Sequence, residues 1–234
     1  MAVVPPADSV ESQIERIFSE SIAAKVRFVQ ENRGTLARVV GIVTSAIRSG
    51  KKVLLFGNGG SAADAQHMAA EFTNRMLLER PPMPAIALTT DTSTLTSIAN
   101  DYGYNDVFAK QVAALGQQGD VAIAISTSGN SPNVLAALRV CRDKGIHTIG
   151  LTGRDGGQVA QHVDYSLNVD ATTKTPRIQE THIVAGHVIC ELVEEQLFGQ
   201  GREQMKERRQ PGATRQRSAS TRRRPPQRSR RRRG

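Results

Sequence analysis

The sequence predicts an α/β domain in which a parallel sheet is covered by helices on both faces. Two observations lead there. Five short apolar runs recur between residues 53 and 169. Small-residue turns and stretches long enough for helical crossovers separate them, which favours parallel pairing.

The region from Asp8 to about Arg48 reads as two helices. Val10, Ile14, Ile17 and Phe18 recur at helical spacing, as do Leu36, Val39, Val40, Val43 and Ile47. Asn32-Arg33-Gly34 divides the pair, and Gly50 ends the second. Strands are expected at Val53–Phe56, Ala85–Leu88, Val121–Ile125, Thr148–Leu151 and Tyr165–Val169. All are short and apolar, as expected of strands buried on both sides. A long amphipathic helix from about Arg177 to Phe198 closes the fold. Residues 9–199 are expected to form the domain, residues 1–8 a flexible N-terminus, and residues 200–234 a disordered Arg-rich tail. The tail is built of Arg, Gln, Ser, Pro and Gly and cannot bury enough apolar surface to offset its ordering entropy.

The net charge of +9 divides unevenly. Residues 201–234 hold 14 of the 31 Lys and Arg and two of the 22 acids, so the tail is +12. Residues 1–200 then carry 17 bases against 20 acids, or −3, and charge gives the body no nucleic-acid role. The tail is expected to be solvated, with weak polyanion or nucleic-acid contact at most. It has no aromatic residue for base stacking. The opening MAVVPPADSV lacks a basic start and a long apolar run, so no signal peptide is expected. No apolar stretch reaches spanning length, and a cytoplasmic, membrane-free protein is expected. Cys141 and Cys190 lie in partly apolar helical patterns and read as buried free thiols.

Two loops carry the chemistry. The first strand ends in Gly57-Asn58-Gly59-Gly60-Ser61-Ala62, where a helix starts near Ser61. Glycines there allow backbone amides to approach a ligand, and a helix N-terminus favours an anion. The spacing also fits the dinucleotide pattern G-x-G-x-x-A. That pattern needs a ribose-binding acid about 20 residues on. Here the corresponding region is Leu78-Glu79-Arg80-Pro81-Pro82, and the first acid after the next strand is Asp91. The second loop, Ser126-Thr127-Ser128-Gly129-Asn130-Ser131-Pro132, places four hydroxyls within six residues at a strand end. Hydroxyls and amides so placed can cradle a phosphate, although Ser131 alone could simply cap the next helix.

His67 and Glu71 sit four residues apart on one helical face, a turn or two beyond the glycine loop. Gln179, His182 and His187 lie on the last helix, where His187 is flanked by apolar residues. The segments FGNGGSAADAQH, PAIALTTDTSTLTSIANDYGYND, AISTSGNSPNV and LTGRDGGQVA together resemble the phosphoheptose isomerases, which have the SIS fold. The resemblance runs from the N-terminal helices to about Phe198. It implies a SIS-type three-layer α/β/α sandwich with a five-stranded parallel sheet, two N-terminal helices and a long C-terminal helix. It implies that Asn58, Gly59, Gly60 and Ser61 line the substrate site and that Asn100 and Asp101 touch the sugar chain. Ser126, Thr127, Ser128 and Ser131 would hold the phosphate. His67, Glu71, Gln179 and His187 match the family's metal positions, typically zinc at one ion per subunit. Glu71 and Gln179 also count among the substrate-binding residues, and Glu71 and His187 match the acid/base pair.

The implied reaction converts sedoheptulose 7-phosphate to D-glycero-D-manno-heptose 7-phosphate through an enediol, the first step toward activated heptose for lipopolysaccharide. Gln179 and His187, eight residues apart, span roughly 12 Å along a regular helix. Either the helix is irregular or neighbouring subunits complete the site, and the family's homotetramers with interfacial active sites favour the second. Pro176 stands where some members carry an acid, and the Arg-rich tail is outside the family pattern. The competing expectation is a non-catalytic SIS protein that binds the bacterial replication initiator, which residues 74–101 also resemble. That relative lacks the acid/base residues that Glu71 and His187 supply here.

Overall fold

The apolar runs form five strands, β1 (Val53–Gly57), β2 (Ala85–Ala87), β3 (Val121–Ser126), β4 (His147–Gly153) and β5 (Tyr165–Val169). These belong to a computed structural model that describes residues 9–199. The N-terminus and the Arg-rich tail, residues 1–8 and 200–234, lie outside the described residues. All strands pair in parallel in the order β2-β1-β3-β4-β5. Parallel neighbours need crossovers, and the helices supply them: α2 (Gly60–Thr73), α3 (Thr92–Asp101), α4 (Val107–Leu115), α5 (Pro132–Asp143) and α6 (Gly157–Gln161). α1 (Val10–Arg48) precedes the sheet and α7 (Thr175–Phe198) follows it.

Strand pleating sorts the side chains into two cores. Val53, Leu55, Val121, Ile123 and Ile125 join the core that contains residues of α1, α2 and α7. Leu54, Phe56, Ala122 and Ala124 join the one that contains α4 and α5. The result is the expected three-layer sandwich, with a buried apolar cluster on each sheet face.

One expected boundary is absent. The two N-terminal helices are a single 39-residue helix, α1, continuous through Asn32-Arg33-Gly34. A lone glycine costs a helix only about 1 kcal/mol relative to alanine, too little to break one that is packed along its length. Asn32 also turns inward, donating from Nδ2 to the Phe28 carbonyl within α1 and to the Asn168 carbonyl on β5. Gly50, with φ of +73°, does end the segment as expected. The second half of α1 buries Leu36, Val39, Val40 and Val43, whereas the first half leaves Val10, Ile14, Phe18, Ile22 and Val26 exposed.

α7 is seated on the sheet by Ile178, which covers Gly153, and by His182. His182 is 1% exposed. Its Nε2 meets the Thr152 carbonyl at 2.8 Å, and its Nδ1 is buried without a partner. Burial lowers its pKa from 6.5 to about 4, despite the opposing hydrogen bond. The folded state therefore holds a neutral ring while the unfolded chain gains a proton below about pH 6.5. Stability is predicted to fall as pH drops from 6.5 toward 4, by about 3 kcal/mol in total from this group. Urea midpoints across that range check it. A His182→Gln variant should show a shallower slope, and an equal slope would contradict the assignment.

Candidate active site

Strand order sets where a site can form. The connection after β1 leads to β2 on one side and the connection after β3 leads to β4 on the other, so the winding reverses between β1 and β3. A crevice opens at such a switch point beyond the carboxyl ends of the strands. Both predicted loops lie there, 57–61 after β1 and 126–132 after β3. Neither following helix has a side-chain cap: α2 starts after Gly59 and α5 after Ser131, and neither residue makes a capping hydrogen bond. Ser131 instead meets Ser126, Oγ to Oγ at 3.0 Å. In the first turn of α2 the Ser61 and Ala62 amides turn back to the Asn58 and Gly59 carbonyls. In that of α5 Pro132 has no N–H and Val134 N–H donates to Asn133 Oδ1, so the Gly60 and Asn133 amides are the ones left for an anion among these described residues.

The hydroxyl loop is held open by backbone contacts. Gly129 has φ of +65°, and a Cβ there would strike the Gly156 carbonyl. Val159 N–H donates to the Gly129 carbonyl at 2.8 Å, and Gln158 N–H to Asn130 Oδ1 at 3.1 Å. Ser128 Oγ accepts from Asn130 N–H within the loop. The glycine loop is tied to α5 through Asn58 and Asn133, whose side-chain amides exchange two hydrogen bonds of 2.9 Å. Tyr104 Oη adds a third contact, donating to Asn58 Oδ1 at 3.2 Å.

The second half of the site is the seam between α2 and α7. Gln179 packs on Gly60, Gly186 on Met68, and His187 on His67. Each pair is separated by 118 to 120 residues, so the two helices run side by side in the same direction. Gly186 permits the approach, since a Cβ there would lie 2.8 Å from Met68 Sδ. His67 Nε2 is 3.2 Å from Glu71 Oε1 and 3.3 Å from His187 Nε2. One ligand atom from each of the three residues falls within 4.8 Å of the others. Two imidazoles and a carboxylate converging in this way suit Zn²⁺ in both donor type and spacing.

The chain matches the family model for the SIS domain over residues 17–153. It is 50% identical to the phosphoheptose isomerase of Thermodesulfovibrio yellowstonii over 189 residues, covering 81% of this chain and 94% of that one. Identity to the Aquifex aeolicus phosphoheptose isomerase is 54%, over 79% of this chain and 96% of the relative. The chain belongs to the phosphoheptose isomerase family. Solved structures agree. The phosphoheptose isomerase of Neisseria gonorrhoeae is 43% identical with a TM-score of 0.75, and that of Francisella tularensis 37% with 0.77. Each match covers 80% of this chain and all of the other. As a member of this family the chain is an isomerase, and the non-catalytic alternative gains no support.

The phosphoheptose isomerase fold brings His67, Glu71 and His187 together, and Asn58 with the start of α5. It does not bring Gln179 to the histidines within one chain. α7 is helical throughout Thr175–Phe198, which removes the irregular-helix explanation, and Gln179 stands over Gly60, two turns before His67. Asn100 and Asp101 bond each other at 2.8 Å on the exposed end of α3, without a hydrogen bond to either loop among the described residues. Asp91 caps α3, accepting from Thr94 N–H at 3.0 Å, so it is already engaged as a cap rather than poised for ribose. Pro176 lies in the first turn of α7, a position where its missing N–H costs nothing. Cys141 and Cys190 are free and buried, each thiol pushed up to about 12 by burial. Three residues escaped the sequence reading: Asn133, Tyr104 and Asp64. Asn133 immediately follows the Ser131-Pro132 step, and a polar residue on the buried side of a helix start was the available signal.

Proposed function

We propose that the α2–α7 seam catalyses the aldose–ketose isomerisation of sedoheptulose 7-phosphate to D-glycero-D-manno-heptose 7-phosphate. The observation that carries this reading is the convergence of His67, Glu71 and His187 two turns beyond the glycine loop that ends β1. The phosphate would sit among Ser126, Thr127, Ser128 and Ser131 and the Asn133 amide at the start of α5. Asn58, Gly59, Gly60 and Ser61 would border the sugar, with Asn100 and Asp101 toward its far end.

Isomerisation moves one proton between neighbouring carbons and one between their oxygens. Glu71 takes the proton from carbon 1 as the carbon–hydrogen electrons form the enediol double bond. His187 carries a proton from the carbon 1 hydroxyl to the carbon 2 oxygen, a task suited to an imidazole. Glu71 then returns its proton to carbon 2, giving the aldose with no net gain or loss. Zn²⁺ held by His67, Glu71 and His187, one per subunit, would polarise the carbonyl. Product formation from sedoheptulose 7-phosphate tests the reading, and its absence from folded, zinc-loaded protein would overturn it.

The same reading assigns Gln179 to the metal of a neighbouring subunit in a homotetramer. Support comes from the exposed apolar stripe Val10, Ile14, Phe18, Ile22 and Val26 on α1, an expected surface for a second copy. Mixing Glu71→Gln with Gln179→Ala protein tests this directly. Each variant should be inactive alone, and subunit exchange should restore activity at sites that combine the two intact residues. No recovery would place Gln179 in its own subunit's site. The cytoplasm, with heptose destined for lipopolysaccharide, is the setting that suits two reduced cysteines. The +12 tail is assigned weak, salt-sensitive contact with polyanions.

A further inference from the structure

Asp64 has no role in the mechanism above, yet it occupies the same helical stripe as Gly60, His67 and Glu71. It stands between the Gly60–Gln179 contact and the His67–His187 contact. Its Oδ2 is buried and has no hydrogen-bond partner. Such an oxygen is costly, because desolvation is uncompensated, and native proteins keep few of them. Burial pushes the carboxyl above its ordinary range, and the charges that oppose the rise belong to His67 and His187. An acid held where it is strained but felt by both histidines calls for a partner there.

His67 supplies one. Its Nε2 faces Glu71 and His187, which leaves Nδ1 as the ring's other polar atom. Helical side chains lean toward the N-terminus, which directs the His67 ring toward the turn that carries Asp64. A histidine bound to a metal through one nitrogen commonly gives its other N–H to a carboxylate, which fixes tautomer and ring orientation.

We propose that Asp64 is a positioning residue that accepts the Nδ1–H of His67 and so directs the Nε2 lone pair toward the metal position. The inference rests on the zinc reading given above. Its carboxylate is not one of the three converging ligand atoms, so its part is to orient the ring that supplies one of them.

A positional role and a packing role differ in sign. Asp64→Asn keeps the size of the side chain and removes the unpaired buried charge. The metal-free variant should therefore melt no lower than the metal-free wild type. Its Zn²⁺ affinity, read by competition with a chromogenic chelator, should fall about 10- to 100-fold. In a His67→Ala background the same substitution should change Zn²⁺ affinity by less than twofold, because the group it orients is gone. Equal affinity in wild type and Asp64→Asn would overturn the proposal, and so would affinity and metal-free Tm falling together. Wild-type protein that binds no Zn²⁺ would overturn the metal reading itself, which separates the two failures. A second readout needs no variant: the imidazole ¹⁵N spectrum of zinc-loaded protein should show His67 protonated at Nδ1. A His67 protonated at Nε2 would contradict the assignment.

Discussion

Glu71→Gln is expected to lower kcat by about 10²- to 10⁴-fold while leaving the fold intact. The amide is nearly the same size as the carboxylate but cannot accept a proton from carbon. The position tolerates the change structurally, because the Glu71 side chain is 24% exposed and makes its hydrogen bond to a neighbouring ring rather than to backbone. Metal affinity should weaken as well, since one of the three converging ligands loses its charge. Single-turnover assays on variant loaded with saturating Zn²⁺ separate the two effects. Turnover near the wild-type rate under those conditions would remove Glu71 as the base. His187 would be the wrong group to test first, because its ring is both a proposed metal ligand and a packing partner of His67.

The second large effect falls on stability. Glu194→Ala is predicted to cost about 3–5 kcal/mol, because it leaves Arg80 buried without its counter-charge. Both side chains are 1% exposed, with Arg80 Nε 2.8 Å from Glu194 Oε1. Glu194 also accepts from the amides of Met76, Leu77 and Leu78. Burial alone would raise its carboxyl, but those three amides and Arg80 outweigh it and hold the group below the ordinary range. Arg80 in turn donates to the carbonyls of Glu71 and Phe72, both at 2.8 Å, closing the C-terminal end of α2. The pair therefore ties the end of the helix that bears His67 and Glu71 to the helix that bears His187. Urea denaturation measures the loss. A change below about 1 kcal/mol would mean that the loop repacks around Arg80 and the pair is not a structural anchor. The carboxylate's contribution is present above its unfolded pKa and is lost as pH falls through the lower folded value.

This anchor also shows where sequence reading stops. Glu194 lies in Glu191-Leu192-Val193-Glu194-Glu195, which looks like the solvent face of a helix, and its partners lie 114 to 118 positions away. Nothing local distinguishes it from Glu195. The strands and the two loops at the ends of β1 and β3 were legible for the opposite reason. A strand buried on both faces is an uninterrupted apolar run, and a loop that receives a phosphate needs glycine and hydroxyl at a strand end, so each leaves a local mark. His67 and Glu71 could be paired from spacing alone, whereas His187 needed the resemblance, because only the fold lays α7 beside α2. The division of α1 was misread at Gly34, since a glycine's cost is small beside tertiary packing that local pattern does not report. Asp64 left no mark at all. An acid one turn before a histidine reads as a surface pair until its buried oxygen is seen.

The central claim is a metal-dependent isomerase, and one measurement tests it most directly. Purified protein is incubated with sedoheptulose 7-phosphate before chelation, after chelation and after Zn²⁺ is restored, and the aldoheptose 7-phosphate is resolved each time. The account predicts product, its loss on chelation and its return with Zn²⁺. Product that survives complete chelation would contradict the metal's part in the chemistry, and no product from folded, zinc-loaded protein would contradict the function itself.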